Sequence, residues 1–538
     1  MDDRHDVIVI GGGIAGIVTA LELAEKNRKV LILDRDAEDK FGGLAKESFG
    51  GMFFVDSPVQ RKSKIKDSAE LAWRDWQNFA DFGDDDHWPK VFAKTYIERS
   101  IPDLFEPVTQ RGINYFPVLN WVERGMYTPG NSVPRFHLVW GTGQELANVY
   151  IQHLKPYIAS GKVGVKFRHH VTELAFEAGR VCGVRGLDDE AEIPFSEQAD
   201  AIVVAAGGIN GNDTKIRQHW QAAWGKAAPE TILNGSHQYA DGTLHEEVGR
   251  LGGNVTHLDR MWNYAAGVHH PRPRKPRHGL SLVPSKSALW LDATGRRFGP
   301  EPLVSGYDTW ELVRRVCKQP VHKYSWAVMN RKIALKELAI SGAESNPAVR
   351  DKKKLAFIKT LLFGNKPLLK DMLDNCVDFV TAGSVTELAE KMNALGGDAI
   401  IHGEGMAADI AAYDAQLDRP LSLRNDDQLR RIQHLRQYRG DKARTLKEQK
   451  ILDPKALPLI AIRQFVISRK SLGGIQTNVE GQVLNPDGYP IEGLYAVGEA
   501  AGFGGGGMHG KRALEGTFLG GCILTARYAA NAINGDLA

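Results

Sequence analysis

Cysteine is scarce in this 538-residue chain: Cys182, Cys317, Cys376 and Cys522 are its four, with no C-x-x-C and no C-x-x-C-H spacing. That argues against a zinc site, an iron–sulfur cluster or covalently held haem, and suits a reducing cytoplasm. An excess of one charge is lacking too. Lys and Arg number 68 against 65 Asp and Glu, a net +3, which gives no ground for a nucleic-acid partner. No uninterrupted apolar run reaches the length that spans a bilayer. The first motif opens at Asp6, leaving no room for a signal or transit peptide, so a cytoplasmic location is expected. What is present, 43% hydrophobic and 25% charged residues, is the composition of a soluble globular protein, and the length calls for two or three domains.

The most informative stretch runs from Asp6 to Arg35. Val7–Ile10 is a continuous apolar run, as a strand buried on both faces would be. Gly11, Gly13 and Gly16 follow as G-x-G-x-x-G. Ile14, Ile17, Val18 and Leu21 then recur at helical spacing, and Val30–Leu33 reads as a second buried strand closing on Asp34 and Arg35. Gly11 makes the tight strand-to-helix turn, Gly13 leaves room for a pyrophosphate, and Gly16 lets helix and strand pack closely. The helix start, at Ile14 and Ala15, supplies free N–H groups and positive potential. Asp34 stands where a carboxylate accepts hydrogen bonds from both hydroxyls of an adenosine ribose and repels a 2′-phosphate. Strand, glycines, helix, strand and acid come in order, so the stretch predicts a dinucleotide site.

Further along, Gly42-Gly43-Leu44-Ala45 and Gly50-Gly51 bracket a loop suited to something flat and phosphorylated. Ser68–Phe79 is helical in pattern, with Trp73 and Trp76 as core. Asp84-Asp85-Asp86-His87, His169-His170 and His269-His270 are read as something other than metal ligands, since no second ligand cluster is nearby. Residues 111–143, rich in Gly, Pro and aromatics, are the kind of long irregular stretch that lines a site. Lys162–Arg168, Val171–Phe176 and Arg180–Arg185 read as strands, the last two joined by a Glu177-Ala178-Gly179 turn. Ala201–Gly208 is another buried strand, returning to the cofactor at Ala206 and Gly207.

Between about 235 and 455 the texture changes. Asp241-Gly242 precedes a helix-like run to Leu251, Pro271–His278 is a basic loop, and Leu289–Phe298 looks like strand, turn and strand start. From 331 to 444 the pattern is mostly helical, with basic faces at Lys352–Lys354 and Arg424–Arg444. Such faces are usually just solvated; weak attachment to an anionic membrane surface is the alternative. Glycine-rich α/β texture returns at Ser471-Leu472-Gly473-Gly474, Gly493–Glu499, Gly502–Gly510 and Leu514–Gly521. There Gly516, Thr517 and Leu519 open a final helix whose N–H groups suit negative charge on a reduced flavin. A second complete G-x-G-x-x-G strand–helix unit is missing, so no separate nicotinamide domain is expected.

Together these motifs resemble the fumarate reductase/succinate dehydrogenase flavoprotein superfamily, and within it the 3-ketosteroid dehydrogenase-like FAD-binding dehydrogenases. The resemblance spans the whole chain. It implies an α/β fold with an α+β cap: a Rossmann-like FAD-binding domain of two segments, 1–236 and 456–538, and an inserted, mobile substrate-capping domain at 237–455. It implies FAD as cofactor, touched by the residues from Gly11 to Gly51 named above and by Val171, Ala206, Gly207 and Asp241. Glu499 would hold the ribityl chain, and Gly516–Leu519 would face the pyrimidine end of the ring. Lys46 stands near where covalently flavinylated relatives carry a histidine, so the FAD is expected to be non-covalent.

Relatives of this kind move a hydride between a substrate carbon and flavin N5, while a general acid or base handles a proton on the neighbouring carbon. Fumarate reductases use a cap arginine as proton donor, shortly after a Gly-x-x-x-x-x-Glu segment that Gly295–Glu301 matches. Where arginine-aspartate should follow, this chain has Tyr307-Asp308. Lys470 replaces a histidine before the Gly-Gly pair. His509-Gly510 matches a His-Gly pair, with the next arginine one residue early as Arg512. These departures point toward ketosteroid-type chemistry, in which a phenol moves a proton next to a carbonyl and Lys470 or Arg469 polarises its oxygen. The catalytic candidates are therefore Tyr307, Arg469, Lys470, His509 and Arg512, with backbone or flavin support as the other reading of the last two. The expected activity is an FAD-dependent dehydrogenase acting on a CH–CH bond next to a carbonyl in a hydrophobic or cyclic small molecule, with the electron partner and oligomeric state open at this point. The alternatives are a fumarate-type reductase of an unsaturated carboxylate and a non-redox FAD-dependent hydratase or isomerase.

Overall fold

A computed structural model describes residues 4–538. It contains two compact units, one of 4–220, Ser236–Trp262 and Arg469–Ala538, the other of Gln221–Gly235 and Asn263–Ser468.

In the first unit, His5–Ile10 is a central strand. It runs parallel to Val30–Leu33, with Val7 opposite Val30, and to Ile193–Val204, with Val7 opposite Ala201. Val163–Lys166 extends the sheet on one side. On the other, Pro490–Ala496 from the C-terminal segment lies parallel to Ile193–Val204, Leu494 opposite Ile202. A parallel sheet needs both faces covered; Val7, Ile8, Val9, Val30, Ile32, Ile202 and Val203 are 0% exposed, which is why these strands read as unbroken apolar runs. The Ile14–Glu25 and Thr517–Asp536 helices pack on each other, so the two ends of the chain share one sheet and one helical layer. The His169–Glu177 and Arg180–Asp188 hairpin turns at Ala178 and Gly179.

The second unit is organised on the strand Leu459–Ser471. It pairs antiparallel with Tyr324–Asn330 and Phe379–Ala382, and parallel with Ile232–Asn234. Leu289–Leu291, Met261–His269, Gly279–Val283 and Ala339–Ile340 extend that sheet. The stretch from 331 to 442 is mostly helical, as its periodicity predicts.

The chain crosses between units at other places than the texture changes near 236 and 455. The Thr243–Arg250 helix stays with the first unit: Glu247 accepts a hydrogen bond from the Leu174 N–H at 2.8 Å, and Val255–Thr256 pairs with Gly474–Ile475. Ile232–Asn234 goes to the second unit because it pairs with Val466–Ser468. Nor is Gly42–Gly51 a continuous loop. Gly43–Glu47 forms a short helix, and Gly51–Phe53 pairs with Phe136–Leu138.

Candidate cofactor site and active-site residues

The Ile14–Glu25 helix begins at Gly13 with no side-chain cap, so its first N–H groups point outward, as an anion requires. A Cβ on Gly13 would meet nothing within 4 Å, whereas one on Gly16 would stand 1.9 Å from the Gly11 carbonyl oxygen. Gly13 thus borders open space and Gly16 closes the strand–helix packing. The second glycine pair comes alongside: Gly42 donates its N–H to the Gly12 carbonyl at 2.8 Å and forms a parallel bridge with Gly13. Leu44 and Ala45 continue from it in the short helix. Ala205 donates to the Ile10 carbonyl at 2.8 Å, and this holds Ala206 and Gly207 against the turn at Gly11. Gly50 and Gly51 are closely packed: Cβ atoms there would meet the Gly143 nitrogen at 2.5 Å and the Phe136 ring at 1.9 Å.

The Asp34 carboxylate accepts hydrogen bonds from the N–H groups of Gly12 (3.0 Å) and Asp36 (2.9 Å). Burial raises its pKa, opposed by the Asp36 N–H and His237. Arg35 lies between Asp241 (2.9 Å) and Asp189 (3.3 Å), its guanidinium 4.5 Å above the Tyr239 ring. Two carboxylates already offset this cation, an arrangement that gives no advantage to a 2′-phosphate. Val171 is buried in the apolar cluster with Leu174 and Val184. His237, 3.2 Å from Asp36, and Tyr239 join this corner. Neither stood out in sequence, because both come from a segment some 200 positions after Asp34 with no motif around them.

At the other end, Ser471 ties three segments together. Its N–H donates to Glu499 Oε1 (2.9 Å), its Oγ accepts from the Ile209 N–H (2.9 Å), and its hydroxyl donates to Asn210 Oδ1 (2.9 Å). Burial raises the Glu499 pKa, opposed by the Ser471 N–H and by Lys470, Arg469 and His237. Lys470 holds its ammonium 4.0 Å above the centre of the Phe518 ring, a cation–π contact. Burial lowers its pKa, Glu515 opposes that, and Arg469 adds to it. Glu515 in turn accepts from the Trp262 indole at 3.2 Å. Gly516 caps the 20-residue Thr517–Asp536 helix without a side-chain hydrogen bond, leaving a second open helix start at Phe518 and Leu519, while the Thr517 N–H donates to the Leu514 carbonyl at 3.4 Å.

His509 is fully buried. It is stacked on Trp76 (6.0 Å, 12° between planes) and packed against Phe503 and Phe518. Its Nε2 lies 2.7 Å from Thr517 Oγ1, and the Thr517 hydroxyl donates to the Leu514 carbonyl at 2.7 Å. The histidine is therefore the donor in the first bond and carries its proton on Nε2. Burial pushes its pKa down to about 3, so the ring is neutral. Arg512 is half-buried and close enough to Asp81 to help lower the pKa of that carboxyl, after the larger effect of Lys511.

Tyr307 lies in the second unit, buried with Val304 and Leu435. Its hydroxyl is 3.2 Å from the Arg431 carbonyl and 3.1 Å from His434 Nδ1, and the Arg431 guanidinium sits 5.3 Å over the ring. Arg431 and His434 belong to the basic helix Asp427–Gln437, whose pattern alone gave only a charged face. Asp308 caps the next helix through the Glu311 N–H at 3.0 Å. The Gly295–Glu301 segment is a brace: Arg296 pairs with Asp409 (2.8 Å), Arg297 with Asp426 (2.6 Å) and Glu301 with Arg315 (3.3 Å). Of the catalytic candidates, Arg469, Lys470, His509 and Arg512 thus belong to the first unit and Tyr307 to the second.

Open helix starts at Gly13 and Gly516, a half-buried ribose-type acid and a half-buried Glu499 on Ser471 are what a long dinucleotide with a flavin at one end asks for. The family model described as "FAD binding domain" matches residues 6–519. The chain belongs to that family. It is 40% identical, over 99% of its own length and 96% of the relative's, to the KsdD-like steroid dehydrogenase of Mycobacterium tuberculosis (strain H37Rv). Two solved structures share the fold. The 3-ketosteroid delta1-dehydrogenase from Sterolibacterium denitrificans in complex with 1,4-androstadiene-3,17-dione has a TM-score of 0.70 at 15% identity, covering 99% of this chain and all of that one. The open conformation of a flavocytochrome c3 fumarate reductase has a TM-score of 0.68 at 18% identity, covering 99% and 78%. This member of the family is an FAD-dependent dehydrogenase, with FAD as its cofactor. Among the described residues no helix is long and apolar enough to cross a membrane, and no group of His, Cys, Asp and Glu is placed to hold a metal ion.

Proposed function

We propose that the enzyme removes hydrogen from a CH–CH bond next to the ketone of a steroid-like substrate. The observation that carries this reading is the 40% identity, end to end, to a KsdD-like steroid dehydrogenase. Fold similarity does not discriminate here, since a ketosteroid dehydrogenase and a fumarate reductase fit about equally well. The bracing of Arg296 and Arg297 by Asp409 and Asp426 supports the same choice, because it leaves that segment ill suited to clamping a dicarboxylate.

FAD, bound without a covalent link, supplies the hydride acceptor. Within this reading Tyr307 Oη takes the proton from the carbon next to the ketone. His434 Nδ1, 3.1 Å away, receives the hydroxyl's own proton as Oη accepts that of the substrate, and the Arg431 carbonyl helps hold the phenol in place. The Lys470 ammonium stabilises negative charge growing on the carbonyl oxygen, with Arg469 adding to the local field. His509, neutral and enclosed by aromatic rings, fixes Thr517 at the start of the last helix, and Arg512 supports the same region.

The test is anaerobic mixing of the oxidised enzyme with a panel of saturated steroid and alicyclic ketones. The reading expects fast bleaching of the flavin by at least one of them. Bleaching by none, together with rapid reoxidation of the reduced enzyme by fumarate, contradicts it.

A further inference from the structure

The second unit carries a helix that hides almost nothing. Lys354–Phe363 has no buried residue, although seven of its ten residues are apolar by sequence (KLAFIKTLLF). Leu355, Ile358, Leu362 and Phe363 are 84%, 49%, 63% and 68% exposed. Residues 355, 358 and 362 recur at helical spacing, so they share one outward face with Phe363 beside it. Phe357 and Leu361, on the opposite side, are half-buried, and Lys336 donates to the Leu361 carbonyl at 2.7 Å, which ties that side to the protein. An apolar face left open in this way marks an interaction surface.

Charge identifies the occupant. From Lys352 to Lys370 the sequence has six lysines and no aspartate or glutamate. Leu362 and Phe363 also line a cleft of about 350 Å³ whose other walls include Arg331, Lys332, Lys336 and Lys455, with no acid among the lining residues. Lys353 and Lys370 pair with Asp351 and Asp374 just outside this stretch, so the rim is mainly rather than wholly cationic, and a second protein would have to match both it and the apolar ridge. An anionic lipid surface does so without further complementarity: side chains enter the boundary between headgroups and acyl chains while lysines meet phosphates.

We propose that the Lys354–Phe363 helix docks the enzyme on an anionic membrane surface, with Leu355, Ile358, Leu362 and Phe363 inserted and the lysines of 352–370 on the headgroups. The attachment is peripheral and does not depend on the identity of the substrate.

Cosedimentation of the FAD-loaded full chain with vesicles tests this. On phosphatidylcholine vesicles containing about a third phosphatidylglycerol, binding should be at least about tenfold tighter than on phosphatidylcholine alone. It should weaken severalfold as salt rises from about 0.1 to 1 M. The Leu362→Asp/Phe363→Asp variant should bind at least about tenfold less, with unchanged flavin absorbance and melting temperature. A Lys359→Glu/Lys366→Glu variant should lose affinity for anionic vesicles only. The proposal is overturned if the parent protein stays in the supernatant, if either variant binds the anionic vesicles as well as the parent, or if the apolar face instead mediates a dimer that Leu362→Asp/Phe363→Asp abolishes.

Discussion

Replacing Gly13 with alanine separates folding from cofactor binding. The backbone there has φ −74° and ψ 177°, which alanine adopts freely, and the added methyl meets no atom within 4 Å. The apoprotein should therefore fold normally, with a small gain of about 0.4–1 kcal/mol from a less flexible unfolded chain. The same methyl occupies the space through which a pyrophosphate reaches the helix start. Loss of one charge-assisted hydrogen bond is worth roughly 1.5–3 kcal/mol, so the Kd for FAD should rise about tenfold to a hundredfold. The assay is an FAD titration by flavin fluorescence quenching on apoprotein, alongside a thermal melt. Gly16→Ala serves as the contrast: its Cβ would lie 1.9 Å from the Gly11 carbonyl oxygen, so that variant should lose stability before any question of FAD arises. A Gly13→Ala protein that binds FAD as tightly as the parent, or an apoprotein that melts well below it, refutes the placement of the pyrophosphate.

Further outcomes are expected elsewhere. Tyr307→Phe should lower kcat by about 10²–10⁴-fold, as loss of a general base does, with the flavin spectrum and KM little changed; an unchanged kcat removes Tyr307 from the chemistry. His509 has its pKa depressed to about 3 in the fold, against about 6.5 in an unfolded chain. The unfolded state therefore binds the proton first, and stability present above pH 6.5 is lost as pH falls toward 3. His509→Gln should be less stable than the parent at pH 8, and that gap should narrow by about 2 kcal/mol at pH 5; melting curves that stay parallel with pH contradict a buried neutral imidazole. Arg135→Gln strands two buried carboxylates, Asp67 (2.7 Å) and Asp75 (2.6 Å), and should cost about 3–5 kcal/mol in urea unfolding.

The cofactor fold was legible because its signals are local. Val7 to Asp34 spells strand, turn, helix and strand within thirty positions, and each element formed where its period predicts. Leu514–Gly521 announced the last helix in the same way. What stayed hidden depends on long-range pairing. Tyr307 meets His434 across 127 positions, and Arg297 meets Asp426 across 129; periodicity marks the latter partners only as polar residues of a helical stretch. The passage of the chain between units is hidden for the same reason. The pairing of Ile232 with Val466 decides it, while the change in composition near 235 reflects only which residues follow. His509 illustrates a third case. Its motif match suggests a substrate ligand or a support, and only the surrounding rings of Trp76, Phe503 and Phe518 favour the second.

Steroid dehydrogenation is tested most directly by a single-turnover experiment without oxygen. Enzyme-bound FAD and one equivalent of a saturated 3-ketosteroid should yield reduced flavin and an equal amount of a steroid lighter by two hydrogens, with the new double bond conjugated to the ketone. Flavin that stays oxidised while the steroid is recovered unchanged, with fumarate rapidly reoxidising the chemically reduced enzyme, would contradict it.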